Sequence, residues 1–143
     1  MTERLSAAQL AVLLRDAITR LNRRVRQTRP VGDLTATQLS ALASLELAGT
    51  MTPRELADIE RVRPPTMTKI VAKLEERGLV HRTPHPTDGR QVILAATPAG
   101  RAMLAQFRRV REEWLAQRLA ELTADQRETL RRAAEILHDV ARA

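Results

Sequence analysis

The segment from Thr52 to Thr97 constrains the fold of this 143-residue chain more than any other part. Its first half has apolar residues three and four positions apart, which is the spacing of short amphipathic helices. Its second half predicts two strands, Leu79–Thr83 and Gln91–Ala95, joined by the turn-forming run His85–Arg90. A helix-turn-helix places its second helix in the major groove of DNA. The segment therefore predicts a winged helix-turn-helix, in which the hairpin is the wing.

Caps and prolines mark the boundaries of the helices that lead into the wing. Thr35 opens one predicted helix and Gly49 ends it. Thr52 opens the next, with Pro53 at the first helical position and Glu55 placed to complete a capping box. The apolar positions of the first of these helices are Leu39, Leu42, Ala43, Leu45 and Leu47. In the second helix, the residues predicted to face inward are Leu56, Ala57 and Ile59.

The fourth predicted helix, Pro64–Arg77, has an apolar face and a polar face. Core packing explains the apolar stripe, which consists of Met67, Ile70, Val71 and Leu74. The opposite face has small side chains near its start and carries the only two lysines of the chain, Lys69 and Lys73. A helix in the major groove needs long donors where it meets guanine or phosphate. A solvated face without a ligand is the alternative interpretation.

The tip of the predicted wing carries Arg90 two residues after Asp88. An arginine at this position can reach a narrow minor groove, where negative potential is concentrated. The carboxylate of Asp88 can hold the guanidinium in place through a charge-assisted hydrogen bond. A local pair that only stabilises the turn is the alternative.

Three more helices are predicted outside this segment. The first has apolar residues recurring over Leu10–Val25 and is predicted to end at Pro30 and Gly32. The fifth follows Thr97, and the sixth follows Thr123 with a capping box. The sixth is predicted to bury Leu130, Ala133, Ala134, Leu137 and Val140. Such apolar stripes must be covered, and we expect the same helices of a second copy to cover them in a twofold dimer. Packing within the chain is the alternative.

The composition favours a polyanionic partner. The net charge is +7, which suits DNA, RNA or an anionic membrane, although an arginine-rich chain without such a partner would show the same balance. The chain has one Trp, one Phe and no Tyr. Single-strand binders and RNA-binding sheets stack bases on aromatic side chains, so duplex DNA is the expected partner.

Other function classes lack the residues that they need. The sequence contains no Cys, and its three His are scattered, so we predict no disulfide, metal site or cofactor. It has no glycine-rich phosphate loop, and its carboxylates fall on helix surfaces, so an enzyme is not expected. No apolar stretch reaches the length of a membrane span, and Ala7–Leu14 lacks a signal-peptide cleavage site. A cytoplasmic protein without a membrane partner is expected.

Several short motifs, taken in their order along the sequence, resemble the bacterial multiple-antibiotic-resistance regulator (MarR) family. They are Leu34–Leu39, Glu55–Ala57, Pro65–Val71, Leu74–Val80, Asp88–Arg90 and Thr97–Gly100, and together they extend the resemblance over essentially the whole chain. The resemblance implies a mainly α fold, a winged helix-turn-helix with a two-stranded β wing and long N- and C-terminal dimerisation helices. It also implies a homodimer that binds a near-palindromic operator and is released by a small organic effector.

The resemblance makes Pro64–Arg77 the recognition helix and assigns the residues that would contact DNA. The first turn would meet bases and phosphates, Lys73 would lie along the groove wall, and Arg82 would contact a phosphate. Arg90 would enter the minor groove with Asp88 as its orienting partner. The residues of the first turn are Arg63, Pro65, Thr66, Thr68 and Lys69.

This chain departs from the family pattern at the helix-turn-helix turn. Many relatives have Gly where this chain has Arg61, and often Ser where it has Arg63, and here the recognition helix begins with Pro64-Pro65. The hydroxyl cap is therefore absent, and a cation is placed at the groove entrance. Because proline is pre-organised for a helix start, the fold is not threatened.

We therefore predict one domain over residues 1–143, with dimerisation helices at 1–30 and 98–143 and a DNA-binding lobe at 34–97. The predicted function is sequence-specific binding of double-stranded DNA by a homodimeric repressor of transcription. The alternative is a winged-helix module that contacts other proteins and does not bind DNA, because fold alone does not fix function.

Overall fold

Helices alternate with short turns until a single hairpin interrupts them. The computed structural model describes residues 4–28 and 34–143, and this part of the chain is mainly helical with one two-stranded antiparallel sheet. The elements in chain order are α1 Ala7–Gln27, α2 Ala36–Ala48, α3 Pro53–Glu60, α4 Pro64–Glu76, β1 Val80–Pro84, β2 Val92–Ala96, α5 Pro98–Ala120 and α6 Ala124–Arg142.

Hydroxyl caps start most of these helices where the sequence predicts them. Thr35 and Thr123 form complete capping boxes at α2 and α6, because glutamine three residues later returns the hydrogen bond. At α3 only half of the predicted box forms. The Thr52 hydroxyl accepts from the Glu55 N–H at 3.2 Å, but the Glu55 carboxylate does not bind back to the cap. Thr97 caps α5 by accepting from the Gly100 N–H at 3.1 Å.

The winged part of the chain, α2 to the start of α5, has a continuous apolar core. The burial predicted for α4 is confirmed, and the largest side chains that are wholly enclosed are Leu42, Leu45, Leu56, Met67, Leu74, Leu94 and Val71. Two apolar residues of these helices are on the surface: Leu47 is 92% exposed, and Ile59, which was predicted to face inward, is 56% exposed. Each lies off the buried face of its helix, so hydrophobicity alone did not indicate its environment.

The wing pairs β1 with β2 from Val80 opposite Ala96 to Pro84 opposite Val92. Both strands lie one residue later than predicted. Leu79 remains tied to the end of α4, because its N–H donates to the Leu74 carbonyl at 2.9 Å. Antiparallel bonds between Met51 and Leu94 join the segment before α3 to β2.

Backbone contacts divide the chain into two units, Met1–Arg29 with Arg109–Ala143, and Pro30–Arg108. The division falls within α5, whereas the sequence suggested a boundary between residues 97 and 98. In the first unit, α1 ends at Gln27, and the predicted stop signals Pro30 and Gly32 lie outside the described residues.

The apolar faces of the terminal helices are not buried within the chain. Neither α1 nor α6 contains a buried residue, so the burial predicted for Leu130, Ala133, Ala134, Leu137 and Val140 is wrong for the single chain. Ile136 and Val140 of α6 are 63% and 68% exposed. Across residues 4–28 and 34–143, the helices are too short or too polar for a membrane span.

Candidate nucleic-acid interface

The start of α4 is the first part of the candidate interface. Arg63 occupies the N-cap position in extended backbone, and its side chain makes no capping hydrogen bond. The first N–H groups of a helix lack partners within the helix, but Pro64 and Pro65 have no N–H to leave unpaired. Of the first three helical residues, only Thr66 keeps such a donor. The absence of a hydroxyl cap therefore costs little, and an exposed arginine stands in its place.

The exposed face of α4 carries the other residues predicted to meet DNA in the major groove. Side chains exposed to solvent on this face are Pro65, Thr66, Thr68, Lys69 and Lys73. The Thr68 hydroxyl donates to the Pro64 carbonyl at 3.0 Å, and Lys73 lies 3.3 Å from the Glu76 carboxylate. No carboxylate in the described part of the chain pairs with Lys69. Its ammonium is therefore available to a phosphate or a base edge.

Arg82, predicted as a phosphate contact, is bound to a carboxylate of α4. Its Nε donates to both carboxylate oxygens of Glu75, at 2.9 and 3.0 Å, and its Nη2 donates to Oε1 of the same group. These hydrogen bonds raise the pKa of the Arg82 guanidinium above its ordinary value. Glu75, one of the carboxylates that the sequence places on a helix surface, is therefore engaged by Arg82 and not simply solvated. The pair joins β1 to the recognition helix, and a phosphate contact by Arg82 stays a prediction.

The Asp88 carboxylate stabilises the turn, as in the alternative that the sequence left open, and does not hold the Arg90 guanidinium. It accepts from the backbone N–H of Arg90 at 3.1 Å and makes no ion pair with the Arg90 guanidinium. A carboxylate that binds a backbone N–H two residues later forms an Asx-turn. Asp88 thus shapes the backbone of the wing tip, and the exposed Arg90 side chain keeps its charge free of any carboxylate in the described residues.

Hydrogen bonds within the wing tip fix its shape. The His85 N–H donates to the Gln91 carbonyl, and the Gln91 N–H donates to the Asp88 carbonyl, both at 3.1 Å. The Nδ1 atom of His85 accepts from the N–H groups of Thr87 at 3.2 Å and Asp88 at 3.1 Å. Sequence reasoning included His85 only as a turn residue. The available signal in the sequence was the spacing: His85 lies two residues before Thr87 and three residues before Asp88.

A cleft of about 570 Å³ lies between the start of α3 and the wing. Its lining includes Arg90 from the wing and Arg54 from the first turn of α3. Arg54 is exposed and has no ion pair among the described residues. A cation in the first turn of a helix opposes the helix dipole, so Arg54 does not stabilise α3 through its charge; sequence reasoning did not single out this residue.

The arrangement supplies exposed cations. Arg63, Lys69 and Arg90 present charged donors on the recognition helix and the wing, and Arg54 adds a fourth. In the part of the chain that the structure describes, no three His, Asp or Glu side chains gather as metal ligands would. Such a surface can bind phosphate and the base edges of duplex DNA.

Comparison with known proteins identifies relatives along most of the chain. The model of the MarR family matches residues 34–92. An uncharacterized HTH-type transcriptional regulator of Mycobacterium bovis is 46% identical over 132 residues, which cover 92% of this chain and 92% of the relative. The multiple antibiotic resistance protein MarR of Salmonella typhimurium is 37% identical over 99 residues, covering 68% of this chain and 69% of that protein.

Solved structures share the same architecture. A putative transcriptional regulator from Pseudomonas aeruginosa superposes with a TM-score of 0.81 at 31% identity, covering 99% of both chains. A mutant MarR from E. coli in complex with operator DNA superposes with a TM-score of 0.59 at 28% identity, covering 93% of this chain and 99% of that one. The predicted winged helix-turn-helix fold is confirmed.

Proposed function

This chain belongs to the MarR family of transcriptional regulators, and from that premise we propose that it is a homodimeric repressor that binds a near-palindromic operator. Members of the family regulate transcription and are not enzymes. The observation that carries the proposal is the set of exposed cations on α4 and the wing, Arg63, Lys69 and Arg90, which no carboxylate of the described residues neutralises. Each such cation can replace counterions condensed on the DNA backbone.

The DNA contact that each residue is expected to make follows from the position of its exposed side chain. Lys69 and Thr66 lie on the exposed face of the recognition helix, where they would meet the major groove. Arg90 would enter the minor groove, because its guanidinium is exposed at the end of a hairpin whose backbone is already fixed. A structure of MarR complexed with operator DNA supports duplex DNA as the partner of this chain.

The homodimer is supported by the uncovered apolar faces of the terminal helices. A groove of about 470 Å³ runs between α1, α5 and α6. Its apolar lining comes from Leu21, Leu115, Leu119, Leu130, Ala133, Ala134 and Leu137. Helices of a second copy would remove this surface from water, and two recognition helices would then address half-sites roughly 34 Å apart.

A small organic effector belongs to the proposal on the family resemblance alone, and its site is not assigned. Its binding would lower operator affinity, which a screen of organic acids and aromatic compounds against the protein–DNA complex would detect. Because a repressor must reach chromosomal DNA, we place the protein in the cytoplasm.

Fluorescence anisotropy tests the proposal directly. The duplexes are the DNA upstream of the coding sequence and a scrambled control, each titrated at several salt concentrations. We expect tight binding to the natural duplex alone and a steep loss of affinity with salt. No binding to either duplex at low salt would instead favour the protein-contact module.

A single variant tests whether the wing contacts DNA. Arg90→Ala should weaken operator binding roughly tenfold and reduce the salt slope by about one unit, because one phosphate or groove contact is lost. Arg142→Ala, which removes an equal charge from the exposed end of α6, is the matched control and should bind like the native chain. Undiminished binding by a folded Arg90→Ala protein would refute the wing contact.

A further inference from the structure

We propose that His85 is a positioning residue for operator binding, which holds the wing tip in the shape that presents Arg90. The inference rests on the proposed function, because it requires that the wing touches DNA. His85 itself is half-buried beneath the tip, whereas Arg90 is exposed. The role is therefore indirect: the imidazole orders the backbone that carries the contacting side chain.

The hydrogen bonds fix the state of the imidazole. Its Nδ1 accepts from the backbone N–H groups of Thr87 at 3.2 Å and Asp88 at 3.1 Å, and the Thr87 hydroxyl lies 3.3 Å from the same atom. A backbone N–H can only donate. The Nδ1 atom must therefore be unprotonated, and the hydrogen of the neutral ring is on Nε2.

Two side chains together supply acceptors for the backbone of the tip. The His85 ring accepts from the N–H groups of Thr87 and Asp88, and the Asp88 carboxylate in turn accepts from the N–H of Arg90 at 3.1 Å. Between them Pro86 has no N–H to donate. Without the imidazole, the N–H groups of Thr87 and Asp88 lose their protein acceptor, and the segment leading to Arg90 is held only by the remaining bonds to Gln91, to the Asp88 carbonyl and to the Asp88 carboxylate.

Protonation of the ring would have the same effect as its removal. An imidazolium carries hydrogen on both nitrogens, so Nδ1 would face two backbone donors with a donor of its own. Histidine changes charge between pH 5 and 8. The other charged groups of the tip are Asp88, whose carboxylate is engaged by the Arg90 N–H, and the Arg90 guanidinium. Across the cleft from the wing, α3 adds Arg54, Glu55 and Asp58.

The direction of the pH effect separates this role from simple electrostatics. If His85 were only a surface group near phosphate, acid would add a positive charge and strengthen DNA binding. If its Nδ1 holds the wing tip, acid removes two hydrogen bonds and weakens DNA binding. The two explanations therefore predict opposite slopes of affinity against pH.

The experiment measures operator affinity by anisotropy at about pH 8 and about pH 5.5, on either side of the ordinary pKa of histidine, about 6.5. The variants of the full-length chain are His85→Asn and His85→Leu, with His81→Asn, an exposed β1 position, as the matched control. We expect His85→Leu to lose roughly tenfold in affinity at the higher pH, from the loss of two hydrogen bonds. His85→Asn should retain affinity at both pH values, because an amide oxygen can accept from N–H groups two and three residues later.

The native chain and His81→Asn should both weaken on acidification relative to His85→Asn. Amide hydrogen exchange at Thr87 and Asp88 should be faster in His85→Leu than in the native chain. This measurement reports the order of the wing tip independently of DNA. Native binding at high pH by a folded His85→Leu protein, or acid strengthening in the native chain that His85→Asn does not show, would overturn the inference. If Arg90→Ala also binds normally, the wing contact itself has failed; if Arg90→Ala is weak while His85→Leu is not, only the role of His85 has failed.

Discussion

Arg61 holds a backbone conformation that an arginine adopts at a cost. It ends α3 with φ 53° and ψ 44°, in the left-handed region, and it is the one residue other than glycine with positive φ in the described ranges. Side chains with a Cβ pay about 1–2 kcal/mol there. The departure from glycine noted in the sequence is thus a local strain at the turn of the helix-turn-helix.

We predict that Arg61→Gly raises the free energy of unfolding by about 1 kcal/mol, because relief of strain exceeds the extra entropy of glycine in the unfolded chain. Urea denaturation should show a higher midpoint at an unchanged slope. Arg77→Gly is the control, since Arg77 ends α4 with φ −85° and gains nothing from glycine. A lower midpoint for Arg61→Gly would show that the arginine side chain makes stabilising contacts that outweigh the strain.

Gly100 is required for a different reason, the close approach of α5 to the end of α4. A Cβ at this buried position would collide with the carbonyl oxygen of Leu79, which is backbone and cannot rotate away. We predict that Gly100→Ala destabilises the protein by about 1–3 kcal/mol, as overpacking does elsewhere. Thermal unfolding measures the loss. Gly89→Ala should be nearly neutral, because nothing lies within 4 Å of its Cβ position.

At the scale of elements, patterns local in sequence predicted structure well. The stripe of α4 and the caps at Thr35, Thr97 and Thr123 depend on residues three or four apart, and the structure confirms them. The ion pair between Glu75 and Arg82 joins a helix to a strand across a turn, so no helical or strand period reveals it.

The same limit explains the errors at the wing and in the core. The start of β1 depends on the hydrogen bond from the Leu79 N–H to the Leu74 carbonyl, and β2 pairs with β1 in a register that is also one residue later. The partner of the Asp88 carboxylate depends on the conformation of the turn, which selected a backbone N–H over the predicted guanidinium. For Ile59, the pattern of apolar residues did not indicate which side of α3 the core would occupy.

The Glu75–Arg82 pair makes a quantitative prediction about the coupling of α4 to the wing. Because the contact is bidentate and Glu75 is mostly shielded, with 27% of its side chain exposed, a double-mutant cycle to alanine should give a coupling of about 1 kcal/mol. The cycle for Lys73–Glu76, where both side chains are exposed, should give about 0.3 kcal/mol or less. Both are measured by urea denaturation, and equal couplings would show that the first pair does not brace the wing.

The operator affinity of Arg82→Ala decides what the guanidinium does on DNA. If Arg82 stays paired with Glu75 on DNA, Arg82→Ala should leave the dependence of operator affinity on salt unchanged. If Arg82 instead leaves Glu75 for a phosphate, the slope falls by about one unit. Glu75→Gln would then strengthen binding by freeing the cation, with Glu112→Gln, at an exposed position of α5, as the control for loss of one negative charge.

At the scale of the whole molecule, the sequence specifies a winged unit that encloses its own core and terminal helices that do not. The core of α2 to β2 is closed by residues such as Leu45 and Leu94, both wholly buried. The helices α1 and α6 have the same amphipathic pattern but no buried residue. Sequence periodicity identifies an apolar face, but it does not state whether the cover comes from the same chain or from a second copy.

The last prediction tests that second copy. Ile136 is 63% exposed in the single chain, so Ile136→Glu leaves the fold of the chain intact while placing a charge in the proposed interface. We expect light scattering to show a monomer where the native chain is a dimer, and operator affinity to fall by about a hundredfold or more, since two linked half-site contacts become one. Leu47→Glu, an equally drastic change at a 92% exposed position of α2, should remain a dimer. A dimeric Ile136→Glu protein with native affinity would exclude this face of α6 from the interface, and the exposed apolar residues of α1 would then be the next to substitute.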